Sequence, residues 1–213
     1  MRSEIAAVLD RASGLPTCRP VTIVFADAAY AAVLDTWIGH ALRAGASNIL
    51  VLAFDQAIER LARDAGVATC RLLPVASRQA LWMRRMEIFA ALADAGIDFI
   101  HSDADALWLG SPYDMLAATD GDLTFSQGTI WPPEIVRDWG FVLCCGFFAV
   151  RANAAVSAFF RQVGGRMVAE ADDQVAVNRA LRELGIEWEP ADPVETRHWR
   201  NLPFRTFERS RLG

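Results

Sequence analysis

The stretch His101–Pro112, HSDADALWLGSP, holds the residues best placed to do chemistry. Asp103 and Asp105 follow an apolar run, Asp98–Ser102 (DFIHS), that reads as a strand. Two carboxylates at i and i+2 just past a strand can face one point as the chain turns. That close together they repel unless a cation lies between them. Hard cations such as Mg²⁺ and Mn²⁺ take oxygen ligands and leave coordination positions open for phosphate. A polar turn after a strand would carry the same pair. The aromatic–apolar–Gly–Ser–Pro continuation, Trp108 to Pro112, favours the metal-binding reading.

The surrounding pattern supplies the elements that must hold this pair. Val21–Ala26 (VTIVFA) reads as a buried strand, and Ala31–Arg43 as a helix closed by Gly45. Ile49–Phe54 is a second strand, Gln56–Asp64 a helix, Val67–Leu72 a third strand, and Arg78–Ala95 a longer helix ending at Gly96. Asp98–Ser102 is the fourth strand. Such alternation predicts an α/β protein with a mainly parallel sheet flanked by helices. The ligand edge of such a sheet lies at the carboxyl ends of its strands, where Asp103 and Asp105 fall. Beyond Asp105, Pro112, Gly121, Gly128, Pro132 and Pro133 punctuate a loop-rich stretch. Phe141–Val150 reads as a further strand, and Asn153–Val163 and Asp172–Leu184 as helices. With no repeat or linker, the 213 residues read as one domain.

Arg85 stands out within its helix. It lies on the apolar stripe Leu81, Arg85, Ile88, Leu92, and a core-facing arginine needs an anionic partner. An arginine snorkelling from the helix edge would read the same way. Arg84 falls off the stripe and is expected to be solvated.

Composition narrows the function classes. The hydrophobic content of 53% and charged content of 22% describe a soluble globular protein. A net charge of −5 argues against duplex nucleic acid as a partner. All 21 basic residues are arginine, so no P-loop lysine, Schiff base or Ser–Lys pair is available. Arginine alone with abundant alanine suits a GC-rich bacterial genome. Cys18, Cys70, Cys144 and Cys145 have no C-x-x-C spacing. The adjacent pair reads as small buried hydrophobes rather than a redox couple. Met1–Asp10 lacks the apolar core of a signal peptide, and the longest uncharged run, Trp139–Val150, is too short to span a bilayer. A reducing cytoplasm is the expected compartment.

Taken together, these residues resemble the nucleotide-diphospho-sugar transferases of the GT-A fold, a Rossmann-related architecture whose signature runs D-x-D-x-x-W-L-x-x-P. Asp103, Asp105, Trp108, Leu109 and Pro112 match it. Cys144–Arg151 (CCGFFAVR) is similar to the family's N-x-G-F-x-x-x-R strand, and Asp173–Asn178 (DQVAVN) to its D-Q-x-x-x-N helix start. Val21–Asp55 resembles the opening strand–helix–strand, so the likeness runs over about residues 20–180. The resemblance implies a divalent metal, Mn²⁺ or Mg²⁺, bridging the diphosphate of a nucleotide-sugar donor, most often a uridine one. Asp105 would be the chief metal ligand, and Asp103 would touch metal, ribose or both. Arg85 and Asp27, the latter in ADAAY after the first strand, would join Asp103 at the donor. Asp173 and Gln174 would line the sugar and face the reacting carbon, as in retaining relatives. An N-terminal helix cap is the competing reading of Asp173.

A third metal ligand is often a C-terminal histidine in this family. His198, in RHWRN, would be that residue if the basic tail folds back, and otherwise it is solvated. His40 reads as packing or surface, and His101 as a core histidine. Cys144 replaces the family's asparagine, which removes an amide contact to sugar or acceptor. The short chain leaves little room for a dedicated acceptor domain, so the acceptor would be small or presented by a partner, with glycan, protein and small molecule all open. A dehalogenase-like phosphatase would place D-x-D after the first strand and use a lysine. A sugar nucleotidyltransferase would need a glycine-rich opening loop and a lysine. The non-enzyme alternative is a nucleotide-sugar-binding scaffold of the same fold.

Overall fold

The computed structural model describes residues 2–119, 121–128, 130–170 and 172–186, with the backbone of 205–206. In chain order these form α1 (Arg2–Ser13), β1 (Val21–Ala26), a 3-10 turn (Ala28–Tyr30), α2 (Ala31–Arg43) and β2 (Ile49–Ala53). Then come α3 (Gln56–Asp64), β3 (Ala68–Arg71), α4 (Arg78–Asp94) and β4 (Phe99–Ser102). The second half holds α5 (Tyr113–Ala117), β5 (Leu123–Gln127), α6 (Pro133–Trp139), β6 (Leu143–Val150), α7 (Ala154–Arg166), α8 (Asp173–Glu183) and β7 (Arg205–Thr206).

The strands make one sheet in the order β3-β2-β1-β4-β6-β5-β7. The expected α/β sheet flanked by helices is therefore present. Its parallel part runs from β3 through β2 and β1 to β4. Every strand beyond β4 joins antiparallel. Side chains alternate between faces, so neighbouring residues of one strand enter different cores. Ile23 packs beneath α1, α4, α7 and α8, whereas Val24 packs beneath α2 and α3. On the first face α7 crosses close to α4. Ser157 Oγ donates to the Ala90 carbonyl at 2.8 Å, and a Cβ on Gly164 would lie 3.5 Å from that of Met86.

Helix starts follow their caps. Asp55 accepts from the amides of Ala57 and Ile58, Ser77 from Ala80, and Asn153 from Val156. Asp55 also accepts from Ala28 N at 2.5 Å, which ties the ends of β1 and β2 together.

Three local expectations require correction. The stretch after Asp105 is not merely loop, since it contains α5, β5 and α6. Pro133, expected to punctuate a loop, is instead the first residue of α6, which Gly140 at φ 80° closes. Arg84 is not simply solvated, because its guanidinium pairs with Glu4 at 2.7 Å and Glu87 at 3.4 Å. Glu4 also accepts from the Leu73 amide at 2.6 Å and so pins α1, whose polar sequence hides any periodicity, against the sheet.

Candidate active site

β1 and β4 are parallel neighbours, so Asp27 and Asp103 emerge at one carboxyl edge. Antiparallel β6 brings Cys144–Gly146 to the same edge, because Ser102 lies opposite Phe147. The Asp103 amide extends this pairing by donating to the Gly146 carbonyl at 2.7 Å. A Cβ on Gly146 would sit 3.1 Å from Asp103 Oδ2 and 3.5 Å from Cys144 Sγ. The absence of a side chain at Gly146 is thus what lets this carboxylate lie against β6.

The loop that follows is fastened by tryptophans. Ser102 Oγ accepts from Trp37 Nε1 at 3.0 Å and from Trp108 Nε1 at 3.3 Å. Trp37 also donates to the Ala106 carbonyl at 3.2 Å. Both indoles are buried, edge to face, with centroids 6.1 Å apart. Trp108 therefore anchors the Asp103–Asp105 turn from below, while Leu109 is 72% exposed and takes no part in the core.

Arg85 meets the anionic partners that its place on the stripe demanded. Its guanidinium donates to Asp103 Oδ1 and, at 3.3 Å, to Asp173 Oδ2, and it touches His101 Nε2. Its carbon lies 5.6 Å from the Phe25 ring centroid. Burial works against the charge on Arg85, but Asp103 and Asp173 more than offset it, and its pKa is raised. His101 is fully buried, and desolvation with the neighbouring arginine lowers its pKa to about 4, so the ring is neutral. Burial would raise Asp103, yet Arg85 and His101 hold it down to about 2. Asp173 is pushed the other way, to about 6, by burial that Arg85 only partly counters and by repulsion from Asp103 and Asp172. Two carboxylates sharing one guanidinium are split by exposure. Asp103, whose side chain is 40% exposed, keeps the charge more readily than Asp173, at 10%.

Asp173 and Gln174 open α8. The cap is Asp172, which accepts from the Val175 amide, so Asp173 is free of that duty. Gln174 Nε2 donates to the Trp131 carbonyl at 2.9 Å. Asn178 fixes α8 to β6, accepting from Leu143 N and donating to Leu143 O, both at 2.9 Å. Asp27 caps the 3-10 turn after β1, accepting from Ala29 N at 3.0 Å.

These residues line two adjoining lobes of one cleft. The first, about 590 Å³, includes Asp27, Tyr30, Phe54, Ser77 and Arg78. The second, about 460 Å³, includes Ser126, Cys144, Phe147, Asp172, Asp173 and Gln174. Trp82, Arg85, Asp103 and Asp105 belong to both. The fold thus brings together every site residue expected from the sequence except His198, which lies outside the described residues. It adds Arg78 and Trp82, a pair at i, i+4 that nothing in the sequence separates from ordinary helix surface and core.

Among the described residues no three His, Cys, Asp or Glu side chains gather as a metal cluster. The two carboxylates nonetheless fit a hard cation. Asp103 Oδ2 faces the open side of Gly146, and exposed Asp105 makes no side-chain bond to a described residue. Oxygen donors with open positions beside them are what Mn²⁺ or Mg²⁺ takes when phosphate completes the shell. Among the described residues no helix is long and apolar enough to cross a membrane.

A model of the nucleotide-diphospho-sugar transferases matches residues 44–204. No curated protein sequence matches the chain significantly. Among solved structures, the bifunctional glycosyltransferase WbbM superposes with a TM-score of 0.57 at 14% identity, over 76% of this chain and 37% of its own. Galactosyltransferase LgtC, solved with donor and acceptor sugar analogues, gives 0.56 at 17% identity, over 76% and 70%. Glycosyltransferase GlyE of Streptococcus pneumoniae TIGR4 gives 0.51 at 14%, over 76% and 43%. Such identities establish likeness of fold alone, and the chain spans less than half of WbbM and of GlyE. The sequence match is of another kind: it runs from the loop before β2 to beyond α8, taking in Asp103, Asp105, Asp172 and Asp173 but not Asp27, and by it the chain belongs to the nucleotide-diphospho-sugar transferase family of glycosyltransferase enzymes.

Proposed function

We propose that the chain is a divalent-metal-dependent glycosyltransferase that moves a sugar from a uridine diphosphate donor to an acceptor with retention of configuration. The observation that carries this reading is the division of the cleft, whose two lobes meet at Asp103 and Asp105. A nucleoside in the first lobe and a sugar in the second leave the diphosphate at that shared wall. Bound there, Mn²⁺ or Mg²⁺ supplies Lewis-acid stabilisation of the charge on the departing diphosphate.

The protein's own groups do the rest. Asp103 and Asp105 turn oxygens toward the shared wall, and Arg85 keeps Asp103 ionised and fixed in direction. Asp27 sits where a ribose or base would enter, beside Tyr30. Asp173 lines the sugar lobe and holds a sugar hydroxyl. Gln174, tethered through Nε2 to Trp131, keeps its Oε1 available to the reacting face. A hydrogen bond strengthened in the transition state lowers the barrier without tightening substrate binding. The free thiols among the described residues suit a reducing, cytoplasmic setting.

The experiment is donor hydrolysis and transfer with uridine diphosphate sugars and Mn²⁺. Gln174→Ala should lower turnover while the affinity for UDP–Mn²⁺ stays within about twofold. A chain that binds the donor with metal yet neither hydrolyses nor transfers it, over a panel of sugar acceptors, is the scaffold of the alternative reading.

A further inference from the structure

We infer that Arg78 is, among the described residues, the cation that grips the donor's diphosphate, a role that Arg85 is not free to take. This rests on the donor reading above. Among the described residues five aspartates line the cleft, Asp27, Asp103, Asp105, Asp172 and Asp173, against two arginines, Arg78 and Arg85. Arg85 is buried and committed to Asp103 and Asp173. Turning it toward a phosphate would strand two carboxylates, one of them buried, without a counter-charge. A diphosphate entering so acidic a cleft needs positive charge beyond the metal, and the chain has no lysine.

Arg78 is exposed and forms no ion pair with a described carboxylate. Its guanidinium carbon lies 5.9 Å from the ring centroid of Trp82, one helical turn on, and Trp82 lines both lobes. That contact sets the guanidinium, which lines the first lobe, beside one of the side chains that the two lobes share. Arg78 is also the first residue of α4, behind the cap Ser77, in the same lobe as Asp103 and Asp105. The amino end of a 17-residue helix there adds a favourable field for an anion. A planar fork can hold two phosphate oxygens at once, leaving the carboxylates to the metal. Arg78 is therefore a binding residue for the leaving group rather than for the sugar.

The test compares UDP, GDP and ADP with their monophosphates, each with Mn²⁺, by calorimetry on the unaltered chain and on Arg78→Ala, Arg78→Gln and Arg78→Lys. Loss of a charge-assisted bond should weaken diphosphate binding roughly 10- to 100-fold. Monophosphate binding should change about twofold or less, and Arg78→Lys should recover part of the loss. Equal diphosphate affinity in Arg78→Ala and the unaltered chain overturns the assignment. An equal loss for mono- and diphosphates also overturns it, because Arg78 would then shape the nucleoside lobe. An unaltered chain that binds no nucleoside diphosphate overturns the donor reading together with this one. Unchanged melting of Arg78→Gln separates these outcomes from misfolding.

Discussion

Gly146→Ala tests how tightly the acidic edge is built. The new Cβ would lie 3.1 Å from Asp103 Oδ2, whereas ordinary contact begins near 3.4 Å, so the oxygen must move by about 0.3 Å. It cannot do so freely. Oδ1 of the same carboxylate is held by Arg85, and the Asp103 amide is bonded to the Gly146 carbonyl at 2.7 Å. Overpacking of this kind costs about 1–3 kcal/mol. Loss of glycine freedom in the unfolded chain returns about 0.4–1 kcal/mol. The net is about 1 kcal/mol, or a melting shift of roughly 2–4 °C for a chain of this size. A shift of about 0.3 Å uses most of the roughly 0.5 Å within which a metal constellation must be held, and the new methyl crowds the oxygen proposed to meet the ligand. Metal-linked nucleotide affinity should fall about tenfold or more, which titration of UDP with and without Mn²⁺ measures directly. A variant melting as expected but binding UDP–Mn²⁺ with full affinity would refute the placing of Oδ2 at the ligand.

Other perturbations probe the supports of the site. Arg85→Met leaves Asp103 and Asp173 without their cation and should cost about 3 kcal/mol in denaturant unfolding, the low end for a broken buried pair because water reaches Asp103. Asn178→Ala orphans both backbone groups of Leu143, for about 2–4 kcal/mol and a melting drop of roughly 4–16 °C. The two carboxylates beside Arg85 have opposite linkage signs. Asp103, held near 2 against an ordinary 3.8, contributes stability that is present above 3.8 and lost as pH falls through about 2. Asp173, raised to about 6, contributes stability that is full below 3.8 and lost as pH rises through about 6. Asp173→Asn removes only the second effect, so its stability relative to the unaltered chain should climb between about pH 4 and pH 7. A flat difference across that range contradicts the raised value.

The strands and helices from Val21 to Ser102 are legible in the sequence because each has its own periodicity, and α3 and α4 also start on a capping side chain, Asp55 and Ser77. The polar α1 and the short β5 and α6 carry no such pattern. Val8 and Ala12 are the apolar side chains that α1 buries, and Pro133 and Gly140 read equally well as turn residues. At the site, the stripe containing Arg85 pointed to an anionic partner, with a snorkelling arginine as the other reading. Which anion was a matter of contacts 18 and 88 residues away, between elements that only the fold brings together. The separation of cap from site at α8 was out of reach for the same reason. Asp172 and Asp173 are chemically identical neighbours, and their division of labour depends on how the helix sits against β6. Gly146 looked like part of a strand motif, whereas its physical role is the space it leaves for Asp103.

The central claim is a metal held by Asp103 and Asp105 between nucleoside and sugar. The most direct measurement is the Mn²⁺-linked affinity for UDP, taken by calorimetry on the unaltered chain and on Asp105→Ala. Asp105 is exposed and its side chain makes no bond to a described residue, so the substitution should leave the melting temperature nearly unchanged. The account predicts that Mn²⁺ strengthens UDP binding to the unaltered chain and that Asp105→Ala abolishes this gain. Equal metal-linked affinity in the two proteins would contradict it.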